Sequence, residues 1–114
     1  MSYGETVQRL RDGLERRGQT LFAAFDHAAA AHEAGLELDP ELVLVFGNPR
    51  AGTQLMVDDP EIGIELPLRV LVYDRGGVVT VAYHDPHELS GAEQTLDAMA
   101  GLLSELVDEA AARG

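Results

Sequence analysis

The sequence predicts a single two-layer domain that combines helices with β-strands. Its 114 residues are enough for one two-layer core but not for a second. Two valine-rich segments joined by Asp74-Arg75-Gly76-Gly77 predict an antiparallel hairpin over residues 67–84, with a four-residue connection. The longest amphipathic segment predicts a helix over residues 92–113, and this helix would supply the second layer by covering the sheet.

A first amphipathic helix is predicted over residues 6–17. Thr6 is a suitable cap for its first turn, and Gly18 can end it. Its apolar residues recur at helical spacing between charged neighbours, at Val7, Leu10 and Leu14. The N-terminal segment is therefore expected to pack one side of a helix against the core.

A short strand over residues 20–25 and a second helix over residues 27–34 follow. Asp26 separates them, and an aspartate is a typical cap for the alanine-rich segment behind it. Gly35 then marks the end of this helix, because glycine adopts the left-handed conformation that commonly closes helices. The first third of the chain thus predicts helix, strand and helix.

Residues 42–46 predict a central strand that is covered on both faces, because leucine and valine dominate and no polar residue interrupts them. A short buried helix is the alternative for so short an apolar run. Gly47-Asn48-Pro49 must end the strand, since proline has no N–H to donate to a sheet. A short helix is predicted over residues 50–57.

Composition excludes several classes of function. The formal net charge is −12, with 20 acidic and 8 basic residues, which argues against binding to nucleic acid. No apolar run reaches the roughly 18 residues of a membrane span, so no membrane partner is expected. The start of the chain lacks the apolar segment of a secretory signal, which predicts a cytoplasmic protein. The absence of cysteine removes disulfides and thiolate chemistry.

The turn from Gly47 to Thr53 is the preferred candidate for a binding site. Asn48, Arg50 and Thr53 place hydrogen-bond donors beside the backbone amides of a helix start, which is an arrangement that binds anions. The glycine spacing matches neither a phosphate-binding loop nor a dinucleotide fingerprint, so a purely structural junction is the alternative. We therefore predict a small anionic ligand at this turn.

Two histidines complete the predicted ligand-binding set. His27 lies in the first turn of a helix, where the helix dipole favours the neutral imidazole that can accept a proton. His84 follows the second strand of the hairpin, and both are expected near the turn across the end of the sheet. The alternative for His27 is simple hydrogen bonding to nearby backbone.

A histidine-dependent hydrolase is the second hypothesis, with His27 or His84 as general base and Asp26 or Asp85 orienting it. No nucleophile is specified, so catalysis is left open. A third hypothesis is a structural dimerisation or partner-binding domain without a pocket, because the turn residues all have sufficient folding reasons. The apolar stripe of the last helix is also consistent with pairing against a second copy.

No metal and no other cofactor are predicted. His27 and His32 are five positions apart, which turns them roughly 140° from each other on a helix and prevents a shared ligand face. His84-Asp85-Pro86-His87 offers ligand types without an identified third ligand, and Asp85-Pro86 more simply starts a helix. The acidic bend at residues 57–61 matches no calcium loop.

Four separated motifs resemble those of one family: Phe25-Asp26-His27, Phe46-Gly47-Asn48-Pro49 with Gly52-Thr53, Leu66-Pro67-Leu68, and Tyr83 with Asp85-Pro86. The chain resembles, over residues 6–89, the bacterial and archaeal family catalogued as domain of unknown function 302. The resemblance implies an α+β domain with a mostly antiparallel sheet, helices packed mainly on one face, a homodimer and no established activity. Members often have a full strand before the first helix, and here only residues 1–3 precede it, which implies an exposed sheet edge.

Overall fold

The computed structural model describes residues 1–89, 91 and 93–111. In chain order the helices and strands are α1 (Tyr3–Arg16), β1 (Thr20–Asp26), α2 (His27–Glu33), β2 (Glu41–Gly47), α3 (Pro49–Asp58), β3 (Leu68–Arg75), β4 (Val78–Ala82) and α4 (Glu93–Ala111). Two short 3-10 turns, Pro60–Ile64 and Pro86–Glu88, precede β3 and α4. Residues 92, 112 and 113 of the predicted last helix lie outside the described part of the chain.

The sheet has four strands in the order β1-β2-β3-β4, and every neighbouring pair is antiparallel. One face is apolar and is buried by α1 and α4, whose leucines join the sheet residues in a single core. This core contains Leu44 and Val70 from the two middle strands, both fully buried. The predicted α+β class is therefore confirmed, as a single domain with helices mainly on one side of an antiparallel sheet.

The central strand β2 is buried on one face only. Leu42, Leu44 and Phe46 point into the core, while Val43 and Val45 between them are half-buried. The expectation of cover on both faces was wrong, because the face that carries Val43 and Val45 stays partly open to solvent. Val43 instead contributes to the floor of a surface cavity.

The first helix begins earlier than its sequence pattern indicates. Ser2 is the cap, because its hydroxyl oxygen accepts a hydrogen bond from the Glu5 backbone N–H at 3.1 Å. Thr6, the predicted cap, lies one turn inside the helix, where its buried hydroxyl donates to the Ser2 carbonyl oxygen at 2.8 Å. Gly18, with a positive φ of 66°, follows the helix end as expected.

The hairpin between β3 and β4 is tighter than the predicted four-residue connection. Arg75 pairs with Val78, which leaves Gly76 and Gly77 alone in the turn. Their φ angles are 60° and 85°, the left-handed values that a two-residue hairpin turn requires and that glycine adopts without strain. The Asp74 carboxylate accepts a hydrogen bond from the Gly77 N–H at 2.9 Å and so fixes the turn.

Helices α1 and α4 approach each other closely at Gly13. A Cβ atom on Gly13 would lie 2.7 Å from Leu106 Cδ1, so a side chain there would force Leu106 or the helices to shift. At the ends of the same two helices, Arg16 and Arg17 both pair with Glu109. These contacts join the ends of α1 and α4, and α4 lines the turn cavity described below.

Candidate functional site

The predicted turn is held by a helix cap. β2 ends at Gly47, and the Asn48 side-chain oxygen accepts a hydrogen bond from the Arg50 N–H at 3.0 Å. Pro49 occupies the first position of α3, where its missing N–H costs nothing. Asn48 thus takes one of the amides that the anion hypothesis had reserved for a ligand.

A cavity of about 620 Å³ opens beside this turn, between α3, α4, the end of β2 and the start of β3. We call it the turn cavity. It is lined by Gln19, Phe22, Gly47, Asn48, Pro49, Ala51, Gly52, Thr53, Met56, Leu66, Pro67, Leu68, Thr95, Ala98, Met99 and Leu102. None of these lining residues carries a charge.

Asn48 and Thr53, two of the predicted ligand-binding residues, line the turn cavity, whereas Arg50 does not and is exposed. The reason is helical geometry. The residues at positions 49, 52, 53 and 56 follow the i, i+3, i+4, i+7 spacing of one helix face, and this face meets the cavity. Arg50 directly follows Pro49 and is therefore turned by about 100° from that face.

A second cavity, of about 770 Å³, contains the two histidines of the predicted set. We call it the histidine cavity. It forms where the chain leaves the sheet after Ala82, the last residue of β4. Its lining is His27, Val43, Asp59, Glu61, Ile62, Glu65, Leu68, Arg69, Leu71, Ala82, Tyr83, His84, Asp85, Pro86, Glu88, Leu89 and Leu103.

The histidine cavity is strongly acidic. Five carboxylates line it, opposed by one arginine, Arg69. An anionic ligand would meet repulsion from these carboxylates. Four of the five predicted residues are thus divided between an uncharged and an acidic cavity, and Arg50 lines neither. The five residues do not converge on one pocket.

The surroundings of the two histidines are open. His27 is half-buried, and its ring lies edge-on to Phe25 with 5.0 Å between the ring centroids. His84 is exposed. Asp26, predicted to orient His27, accepts a hydrogen bond from the Ala29 N–H at 2.9 Å and so caps α2. Asp85, predicted to orient His84, binds His87 instead.

His87 forms a bridge between two carboxylates. Its Nδ1 lies 2.9 Å from Asp85 Oδ1 and its Nε2 lies 2.5 Å from Asp97 Oδ1 on α4. The hydrogen bond to Asp97, with the nearby Asp85 charge, raises the pKa of His87 above its ordinary 6.5. The pKa of Asp85 lies below its ordinary 3.8, mainly because the backbone N–H of His87 donates to its carboxylate. The bridge ties the wall of the histidine cavity to α4.

Two further properties concern only the described residues. In that part of the chain, no group of three or more histidine, aspartate or glutamate side chains is arranged to hold a metal ion. Nor does any helix there combine the length and apolar character that a membrane span requires.

Comparison with known proteins assigns the family. The model of the family described as Domain of unknown function DUF302 matches residues 1–113. The chain belongs to the DUF302 family. The resemblance predicted from four sequence motifs is confirmed, and the match extends beyond those motifs to both ends of the domain.

A solved structure supports the DUF302 fold. The crystal structure of an uncharacterized conserved protein DUF302 from Bacillus stearothermophilus superposes with a TM-score of 0.86, covering 96% of this chain and 91% of that one. The two sequences are 21% identical, so this similarity concerns the fold alone.

The curated proteins that match this DUF302 chain are longer than it is. It is 42% identical over 86 residues to a protein named Fluoride-specific ion channel FluC 1 from Brucella suis, and equally to one named FluC 2 from Brucella melitensis. These matches cover 75% of this chain but 34% and 32% of the relatives. The matched region thus spans about a third of those proteins, and their named activity is not transferred to this chain.

Sequence reasoning missed the residues that complete each cavity of this DUF302 domain. Phe22 and Met99 line the turn cavity from β1 and α4, and Arg69 lines the histidine cavity from β3. The stripe of α4 that contains Met99 was assigned to the core, correctly, and gave no sign that it also borders a cavity. Arg69 carried a usable signal, since strand alternation places this cation on the face opposite the core.

Proposed function

We propose that this DUF302 domain binds a small molecule in the turn cavity. The observation that carries the proposal is a concave space of about 620 Å³ at the predicted turn, lined by apolar side chains and a few polar ones. Ligand sites in proteins typically enclose roughly 300–1,000 Å³ and combine an apolar lining with a small number of placed polar groups.

The walls of the turn cavity are pre-formed, which favours binding. Leu68 and Met99 belong to the buried core, so they are held in place by the sheet and by α4. The Asn48 cap and Pro49 fix the start of α3. A ligand would therefore find its site already assembled, without the cost of ordering a loop.

This proposal keeps the ligand at the turn, as the sequence predicted, but no longer specifies an anionic ligand. Arg50 lies outside the lining, and the one helix amide that Asn48 satisfies is no longer free. An anion in the turn cavity would have no side-chain cation to pair with.

A fragment screen by ¹H–¹⁵N NMR tests the proposal, with benzyl alcohol as the first probe. We expect binding to shift the amide resonances of the lining residues in α3 and α4. Ala98→Leu should fill part of the cavity and weaken binding by about tenfold or more. Ala30→Leu is the matched control, because Ala30 is an equally exposed helical alanine outside both linings. Equal weakening by both variants, or no shift in the lining, would contradict the proposal.

A histidine-dependent hydrolase is the second candidate, favoured by one observation. His27 and His84 line the same cavity, and they do so beside the half-buried Val43 floor of the sheet. Hydrolysis of p-nitrophenyl acetate, followed by absorbance, checks this candidate. If the candidate is right, the protein hydrolyses this ester faster than buffer alone does. The rate should fall at least about tenfold in His27→Ala or His84→Ala, since a general base contributes roughly a hundredfold or more. Equal rates in protein and buffer would remove it.

The exposed edge strand supports the homodimer that the family resemblance implied. All seven residues of β1 are exposed, and Phe25 on this strand is 53% exposed. A sheet edge with exposed apolar residues is a surface that proteins usually cover. Light scattering after size exclusion should give the mass of two chains, and of one chain for Phe25→Asp. A single-chain mass for the wild type would contradict the dimer.

A further inference from the structure

We infer that the ligand of the turn cavity is an uncharged, mainly apolar molecule with one hydrogen-bonding end; this inference rests on the proposed binding function. Charged residues make up 25% of the chain, and the formal net charge is −12. The described residues that line the turn cavity nevertheless include no aspartate, glutamate, lysine or arginine. The lining therefore offers a charged ligand no opposite charge.

The apolar walls would strip water from whatever enters. Phe22 lines the cavity from β1, and Met99 and Leu102 line it from α4. A charged group placed against them loses its hydration and receives no ion pair in return, which is one of the most costly arrangements in a protein. An uncharged apolar group loses only unfavourable contact with water. The same walls thus favour neutral ligands and oppose anions and cations alike.

Four uncharged polar side chains also line the turn cavity and can hydrogen-bond a polar group of the ligand: Gln19, Asn48, Thr53 and Thr95. The oxygen of Asn48 already accepts from the Arg50 N–H, which leaves its NH₂ group to donate. The two threonine hydroxyls can both donate and accept. This set suits a hydroxyl, carbonyl or amide group, each of which keeps its hydrogen bonds without bringing a charge.

The histidine cavity sharpens the inference, because it predicts where a cation would go instead. Its carboxylates outnumber its single arginine, so an ammonium group is attracted there and not to the turn cavity. Probes that share one ring and differ only in charge should therefore separate between the two cavities.

The test uses two matched sets of probes: benzyl alcohol, benzoate and benzylamine, and indole-3-ethanol, indole-3-acetate and tryptamine. Each is titrated into the ¹⁵N-labelled protein, and binding is located by the amide shifts. We expect the neutral member of each set to bind the turn cavity at least about tenfold more tightly than its charged partners. We expect the two amines to shift residues of the histidine cavity.

A placed charge should reverse the preference. Thr95→Lys puts an ammonium group in the lining, so benzoate should then bind more tightly than benzyl alcohol. Gln94→Lys is the matched control, because Gln94 is exposed and outside the lining, and the neutral preference should persist. Ala98→Lys, at an exposed lining position, repeats the test if Thr95→Lys does not fold.

The outcomes separate this inference from the proposed function. Turn-cavity binding in which wild-type protein prefers benzoate or benzylamine overturns the neutral ligand class but leaves the binding site intact. Equal affinity of all three members does the same. If no neutral probe shifts the turn-cavity residues at millimolar concentration, the binding site and the ligand class both fall.

Discussion

The two cavities of this domain share Leu68 at the start of β3 and differ most in the charge of their linings. The turn cavity includes the core side chains Leu68 and Met99 in its lining and carries no charge among its described lining residues. The histidine cavity is slightly larger, and its described lining includes five carboxylates and six residues that follow β4.

The comparison teaches that residue type and residue position must be judged together. His27 and His84 are the most reactive side chains of the predicted set, yet they lie in an acidic cavity, and the aspartates predicted to orient them cap α2 and bind His87 instead. Asn48 and Thr53 have uncharged side chains of low reactivity, but they lie on a concave surface. A binding site depends more on enclosure and preorganisation than on reactivity.

The largest predicted difference between the two cavities is in how much a substitution in the lining lowers the free energy of unfolding. Met99→Ala removes a side chain that is only 8% exposed and should lower the free energy of unfolding by about 2–5 kcal/mol. His84→Ala changes an exposed wall of the other cavity and should stay within about 0.5 kcal/mol. Urea denaturation measures both. Similar losses would show that the two cavities do not differ in how they are built.

Two substitutions at Asn48 distinguish the contribution of the turn to stability from its contribution to ligand binding. Asn48→Ala removes the cap of α3 and should lower the free energy of unfolding by about 1 kcal/mol. Asn48→Asp keeps a capping oxygen and adds a charge, so it should preserve stability while weakening the binding of benzyl alcohol. Denaturation and NMR titration of both variants check this. If Asn48→Asp binds the probe as tightly as the wild type, the claim that the cavity opposes charge loses its support.

The His87 bridge should make the wall of the histidine cavity sensitive to pH. The folded pKa of His87 is raised, so its stabilising effect is fully present below the unfolded value of 6.5 and is lost as pH rises through the higher folded value. The folded pKa of Asp85 is lowered, so its effect is present above 3.8 and is lost as pH falls through the lower folded value. The bridge is therefore strongest between these ordinary values.

Thermal unfolding of wild type and Asp97→Asn from pH 5 to pH 9 tests this dependence. The wild type should be the more stable at pH 5, and the difference should shrink on the alkaline side of neutrality. Because His87 and its partners are exposed, added salt should reduce it further. A constant difference across this range would show that His87 does not carry the effect.

The smallest effect is expected when a residue of the histidine cavity is changed and binding in the turn cavity is measured. His27→Ala and His84→Ala lie outside the lining of the turn cavity, so the affinity for benzyl alcohol should change by less than about twofold. Its affinity should also be constant between pH 5 and pH 8. Isothermal titration of both variants measures this. A large loss in either variant would mean that the cavities act as one site.

Local features of the fold could be predicted from the sequence. The hairpin and the cap at Asp26 depend on residues adjacent in the chain, and the structure contains both. The exact start of α1 was missed because Ser2 and Thr6 are equally suitable caps by residue type. Burial separates them, since Thr6 is 3% exposed inside the helix.

The candidate site could be predicted only in part. Asn48 and Thr53 were found because they belong to one continuous turn, and Arg50 was misplaced because its direction depends on which residue begins α3. Phe22 and Met99 come from distant parts of the chain, so their meeting depends on how β1 and α4 pack on the sheet. The sequence suggested only a metal-ligand role to consider for His87. Its contact with Asp97, ten residues away, could not be predicted because that contact has no local signature.

The central claim is that the uncharged cavity at the turn, and not the histidine cavity, is the ligand site. A crystal structure of the protein soaked with benzyl alcohol tests it most directly. The account predicts the probe between Phe22 and Met99, with its hydroxyl group within hydrogen-bond distance of Asn48, Thr53 or Thr95. Benzyl alcohol bound only beside His27 and His84, with the turn cavity closed by its own side chains, would contradict the claim.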